Sequence, residues 1–87
     1  MNIREYLEKQ GVKYSHKGFT YLYTAIELAE LPVEMMPLYA AVALKHGTAQ
    51  SKVERNMRTA VKAVDKSLTV SEFVAKAVWY REQSDLL

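Results

Sequence analysis

Between Ser51 and Lys66 the chain reads SKVERNMRTAVKAVDK, which sets Lys52, Arg55, Arg58, Lys62 and Lys66 against only Glu54 and Asp65. This segment has a balance of +3 in a chain whose total is +2, so the remainder is slightly acidic. Positive charge gathered in one place is the chemistry of polyanion binding. Arginine adds a planar fork of donors that fits guanine or phosphate with two parallel hydrogen bonds. At about 100° per residue, Val53, Met57, Ala60 and Val64 share one helix face while Lys52, Arg55, Arg58, Thr59, Lys62 and Lys66 cluster on the other. Any solvated surface helix shows such a division. Three details favour nucleic acid: the positives are concentrated here, Arg55 and Arg58 fall in the first two turns, and the short turn HGTAQS comes just before. Glu54 is suited to accept from a cytosine amino group, or else it closes a capping box with Ser51.

Other chemistry finds little material. His16 and His46 stand 30 positions apart with no second ligand at a metal spacing, and both read as loop or helix-end residues. There is no cysteine, which excludes disulfides, thiolate metal sites and a Cys nucleophile, and fits a cytoplasmic protein. Glu27, Glu30 and Glu34 are spaced as a solvated stripe. No phosphate-binding loop, Ser-His-Asp order or nucleophile elbow is present, so no enzyme, cofactor or metal is expected. The N-terminus MNIREYLEKQG is charged and amphipathic rather than a signal peptide, and no window approaches a membrane span.

These residues need a scaffold, and 87 residues, half of them hydrophobic, suffice for one domain over 1–87. Three glycines and two prolines leave little for hairpins, and helical spacing dominates. The expectation is an all-α bundle of about five helices containing a helix-turn-helix. Asn2 caps a first helix that places Ile3, Tyr6 and Leu7 on one face and stops at Gly11, and VKYSHKG is a loop. A second helix runs from Phe19 to about Leu31, ended by Pro32. A third runs from Glu34 or Met35 to His46, with Pro37 in its first turn, Leu38, Tyr39 and Val42 inward, and Gly47 closing it. The basic helix follows over about 50–66. Thr69 and Glu72 have capping-box spacing ahead of a last helix that buries Phe73, Val74, Ala77 and Val78. Trp79 and Tyr80 finish the core or leave an aromatic edge.

The stretches KGFTYLYTAIELA (17–29), PLYAAVALKHGTAQSKVERNMRTAVKAV (37–64) and TVSEFVAKAV (69–78) resemble the C-terminal DNA-binding effector domain of the master sporulation response regulator of endospore-forming Firmicutes. SKVERNMR is the most telling piece, with KGFTYL and the Leu-Tyr of PLYAAVA as independent matches in the right order. The resemblance implies an all-helical domain with a helix-turn-helix that binds a short promoter box, often as tandem copies, to activate or repress transcription. It places Glu54, Arg55 and Arg58 in the major groove and Ser51 near a phosphate. Lys52 stands where the family has an arginine and Thr59 where it has a histidine. Asn56 and Met57 replace small and branched apolar residues, so the same target sequence does not carry over. Lysine keeps the charge and loses the fork, which suits Lys52 to phosphate rather than base. The family's phosphoacceptor receiver would precede Met1, so no phosphorylation switch is expected in this sequence. The connection DKSL is shorter than the family's, so its dimer geometry does not transfer.

The sequence thus points to double-stranded DNA as the partner. Glu54, Arg55, Arg58 and Thr59 are the expected base readers, and Lys17, Thr48, Ser51, Lys52 and Lys62 the backbone contacts. Two copies, as a homodimer or in tandem, are expected on DNA. The rival reading is a protein-interaction module working through the acidic second helix and the aromatic end of the last.

Overall fold

The computed structural model describes residues 1–86, with side chains described through Ser84. Five helices follow one another: α1 (Ile3–Lys9), α2 (Lys17–Leu28), α3 (Met35–His46), α4 (Gln50–Val64) and α5 (Val70–Leu86). The described residues contain no strand, and the expected all-α class holds.

α2 is the central element, packed against each of the other four helices. Seven of its twelve residues are buried, Gly18, Phe19, Tyr21, Leu22, Thr24, Ala25 and Ile26, which is what a helix with neighbours on several sides requires. Around it the fully buried Leu7, Leu22, Ile26, Val42, Val53, Met57, Val61, Val74 and Val78 form one continuous core.

Local chemistry marks the helix ends. The Asn2 side chain accepts from the Glu5 N–H at 3.0 Å. Gly47 turns α3 off with φ +61°, a left-handed conformation that glycine adopts without strain. The Gly47 and Thr48 N–H groups then donate back to the Leu44 and Ala43 carbonyls. At α5 the expected capping box is present. Thr69 Oγ1 accepts from the Glu72 N–H at 3.1 Å, and Glu72 Oε1 accepts from the Thr69 N–H at 3.1 Å. The Thr69 hydroxyl, donating to the same Oε1 at 2.8 Å, and then the Thr69 N–H hold the Glu72 carboxyl below its usual range.

Two helices depart from the sequence reading. α2 begins at Lys17 and ends at Leu28, rather than running from Phe19 to about Leu31. Its end is set from a distance: the Arg81 guanidinium on α5 donates to the carbonyls of Ile26, Glu27 and Ala29, satisfying groups that another helical turn would otherwise need to bond. α4 stops at Val64, short of residue 66. Asp65 leaves the helix with φ −155°, and its carboxylate accepts from the Ser67 N–H at 2.9 Å and the Ser67 hydroxyl at 2.7 Å.

Candidate nucleic-acid interface

α4 presents two separate faces. Val53, Met57, Ala60 and Val61 are buried and Val64 is half-buried, whereas Ser51, Arg55, Arg58, Thr59 and Lys62 are exposed; Lys66, expected on the same face, lies beyond the helix in the turn after Val64. The sequence reading assigned Val53, Met57, Ala60 and Val64 to the core and passed over Val61, which is fully buried. The core grips the helix at two points. Gly18 of α2 lies against the Asn56 backbone and Ala60. Tyr39 of α3 sits beside Glu54 and Arg58. His46, the last residue of α3, shares a 2.8 Å hydrogen bond with buried Thr24 and an edge-on ring contact with Tyr21. His46 therefore anchors the end of α3 to α2.

The base-reading candidates divide into an outward line and a flank. Arg55 is exposed at the middle of the outer face, and its carbonyl accepts from the Thr59 hydroxyl at 3.0 Å, so these two neighbours stand together. Glu54 and Arg58 sit one step round the helix, paired at 3.6 Å with both side chains about half exposed. An exposed i,i+4 pair of this kind contributes only about 0.3–0.5 kcal/mol, so either partner can be drawn off by a better one. Glu54 does not close a capping box with Ser51. The helix starts at Gln50 with Ala49 as its cap, and Ala49 has no side chain that could accept.

The backbone candidates lie at the ends and along the second flank. Ser51 is exposed in the first turn, where no side chain caps the helix, and Thr48 is half-buried in the turn before it. Uncapped N–H groups at a helix start favour an anion. Lys52 is half-buried, and its carbonyl accepts from Asn56 Nδ2 at 2.7 Å. Lys62 is exposed and donates to the Lys66 carbonyl at 2.9 Å, finishing the end of α4. Lys17 is exposed at the start of α2, next to the glycine that touches α4.

Two residues carry no role in the sequence reading: Gly18, which lies against α4, and Arg81, which caps the end of α2. Gly18 was placed in a loop, and its tight approach to α4 leaves no periodic signature. Arg81 did leave one: Val70, Val74, Ala77 and Arg81 follow helical spacing, so a charged residue occupies a position otherwise apolar.

Burial raises the phenol of Tyr39 above its ordinary value of 10.0, and the Glu54 carboxylate adds to this while Arg58 opposes it. The Tyr6 phenol is raised the same way, by burial first and then by Tyr80. The folded state thus holds these protons more tightly than the unfolded chain. That contribution to stability is complete below pH 10 and is lost as pH rises through the folded-state values. Thermal melts over an alkaline series are expected to fall above pH 10, in step with phenolate absorbance. Replacing Tyr39 by Phe should flatten part of that fall, and an unchanged profile would remove Tyr39 as a contributor.

No group of three or more His, Cys, Asp or Glu residues among those described could hold a metal ion. No described helix is long and apolar enough to cross a membrane. No curated protein and no solved structure matches the chain significantly. The family model described as sporulation initiation factor Spo0A C terminal matches residues 3–85. With nearly the whole of its length matched, the chain belongs to that family of DNA-binding, transcription-regulating effector domains.

Proposed function

We propose that α3, the turn Gly47–Ala49 and α4 form a helix-turn-helix within a single DNA-binding domain, and that α4 enters the major groove of duplex DNA to regulate transcription in the cytoplasm. The observation that carries this is the division of α4: a continuous cationic face, Arg55 at its centre, stands opposite residues locked in the core. Arg55 and Arg58 read base edges, with Glu54 and Thr59 selecting beside them. Lys17, Thr48, Ser51, Lys52 and Lys62 hold the sugar-phosphate backbone. One copy offers a small interface, so useful affinity calls for two copies on adjacent half-sites.

The test is a fluorescence-anisotropy titration of a labelled mixed-sequence duplex over a range of salt. Each phosphate neutralised contributes about −0.9 to the slope of log affinity against log salt, so the three lysines alone give a slope of about −3. Absence of binding at low salt would sink the reading. The rival, a module that binds protein through the C-terminal aromatic edge, is favoured by Trp79 and Tyr80, which remain 50% and 43% exposed. In that case, duplex binding would be absent while a partner still bound.

A further inference from the structure

Tyr39 brings a buried ring and an unused hydroxyl to the flank of α4. The residue is only 8% exposed, and its oxygen makes no hydrogen bond to any described residue. No buried side-chain nitrogen or oxygen among the described residues lacks a partner, so this oxygen is not sealed in the core. It opens into the pocket that Tyr39 lines, about 330 Å³ between α3, α4 and the start of α5. Glu54, Arg58, Lys62, Thr69 and Ser71 supply the other polar walls. A tyrosine this deeply placed ordinarily finds a partner for its hydroxyl.

Two of those wall residues are engaged with each other, but loosely. Glu54 and Arg58 stand 3.6 Å apart, beyond the span of a charge-assisted hydrogen bond. Once Arg58 turns to a base edge, as the proposed DNA reading requires, the Glu54 carboxylate is left without its cation beside the phosphates of the groove. It then needs a donor that stays. Lys62 already donates to the Lys66 carbonyl at 2.9 Å, and the Thr69 hydroxyl to Glu72 at 2.8 Å. Ser71 is exposed, whereas the Tyr39 ring is fixed in the core.

We propose that Tyr39 is a positioning residue for base reading: its hydroxyl donates to the Glu54 carboxylate when Arg58 leaves for a base, and so holds Glu54 in place as the acceptor for a cytosine amino group. This rests on the reading of α4 as the DNA-facing helix. A donor already held in place costs little further ordering when it engages. The phenol pKa is raised by burial first and then by Glu54, against the opposing effect of Arg58. Departure of Arg58 therefore leaves a phenol that keeps its proton and can donate it to a hydrogen bond.

Anisotropy titrations on a duplex that the wild type selects from a randomised pool test this, with Tyr39→Phe, Glu54→Ala and the double variant. Tyr39→Phe removes an oxygen that has no partner in the free protein, so its melting temperature at pH 7 should stay close to wild type. Its affinity for the selected duplex is expected to fall about three- to tenfold. The salt slope should not change, because no phosphate contact is lost. In the Glu54→Ala background the same change should have little further effect, since the group to be held is gone. Selection repeated with Tyr39→Phe should relax the preference at the base pair where Glu54→Ala abolishes it. A merely structural role would instead lower the melting temperature and act alike in both backgrounds. If the wild type binds and Tyr39→Phe matches it in affinity and base preference, or if the two losses simply add, the proposal is overturned while the DNA reading stands. If the wild type binds no duplex, the DNA reading falls and this role for Tyr39 falls with it.

Discussion

Replacing Arg55 and Arg58 together by glutamate is expected to abolish duplex binding at moderate salt, a loss of at least about a hundredfold, while leaving the fold intact. Each arginine able to make a two-pronged contact with guanine accounts for about 1–3 kcal/mol of discrimination. The double change also turns the balance over Ser51 to Lys66 from +3 to −1, which repels the phosphates the remaining lysines would hold. The structure has little to lose in exchange. Arg55 is exposed, and Arg58 gives up only a half-exposed partner at 3.6 Å. Circular dichroism and the melting temperature should stay close to wild type while anisotropy binding disappears. Retained affinity in a folded double variant would mean that DNA meets another surface.

The second large effect is expected at Gly18, through packing rather than charge. A Cβ built there collides with the Asn56 carbonyl oxygen and comes within 2.7 Å of the Ala60 Cβ. Helix propensity alone would reward Gly18→Ala by about 1 kcal/mol, so the sign of the result decides between local preference and packing. Packing should win, because the obstacle is α4 backbone, which cannot rotate away as a long side chain would. Overpacking of this kind costs about 1–3 kcal/mol, and in a domain of this size each kcal/mol lowers the melting temperature by about 4–8 °C. Adding Ala60→Gly should not rescue it, because the Asn56 carbonyl stays in place and a glycine inside α4 costs about 1 kcal/mol of helix propensity. An alanine variant that melts with wild type would show that α2 and α4 are not held at this separation.

The sequence makes helix boundaries legible where the cap is local. Asn2, Gly47 and the Thr69–Glu72 pair each act on groups within a few residues, so composition and spacing suffice to find them. The cationic face of α4 is legible for the same reason, since one period relates all its members. The end of α2 is not legible because its carbonyls are satisfied by Arg81, more than fifty positions away, and no local pattern contains that bond. Glu54 illustrates a further limit. Its spacing from Ser51 suits a capping box and its spacing from Arg58 suits an ion pair, and the choice follows from where α4 starts, one residue before Ser51.

The link from Arg81 to the end of α2 also sets an order of events during synthesis. A ribosome adds about 5–20 residues per second, so Arg81 is added on the order of 3–10 seconds after the carbonyls it bonds. During that interval α3 and α4 are made in turn, while the last turn of α2 still lacks its guanidinium cap. The central helix therefore stays open at one end until α5, more than fifty residues further along the chain, is made to close it.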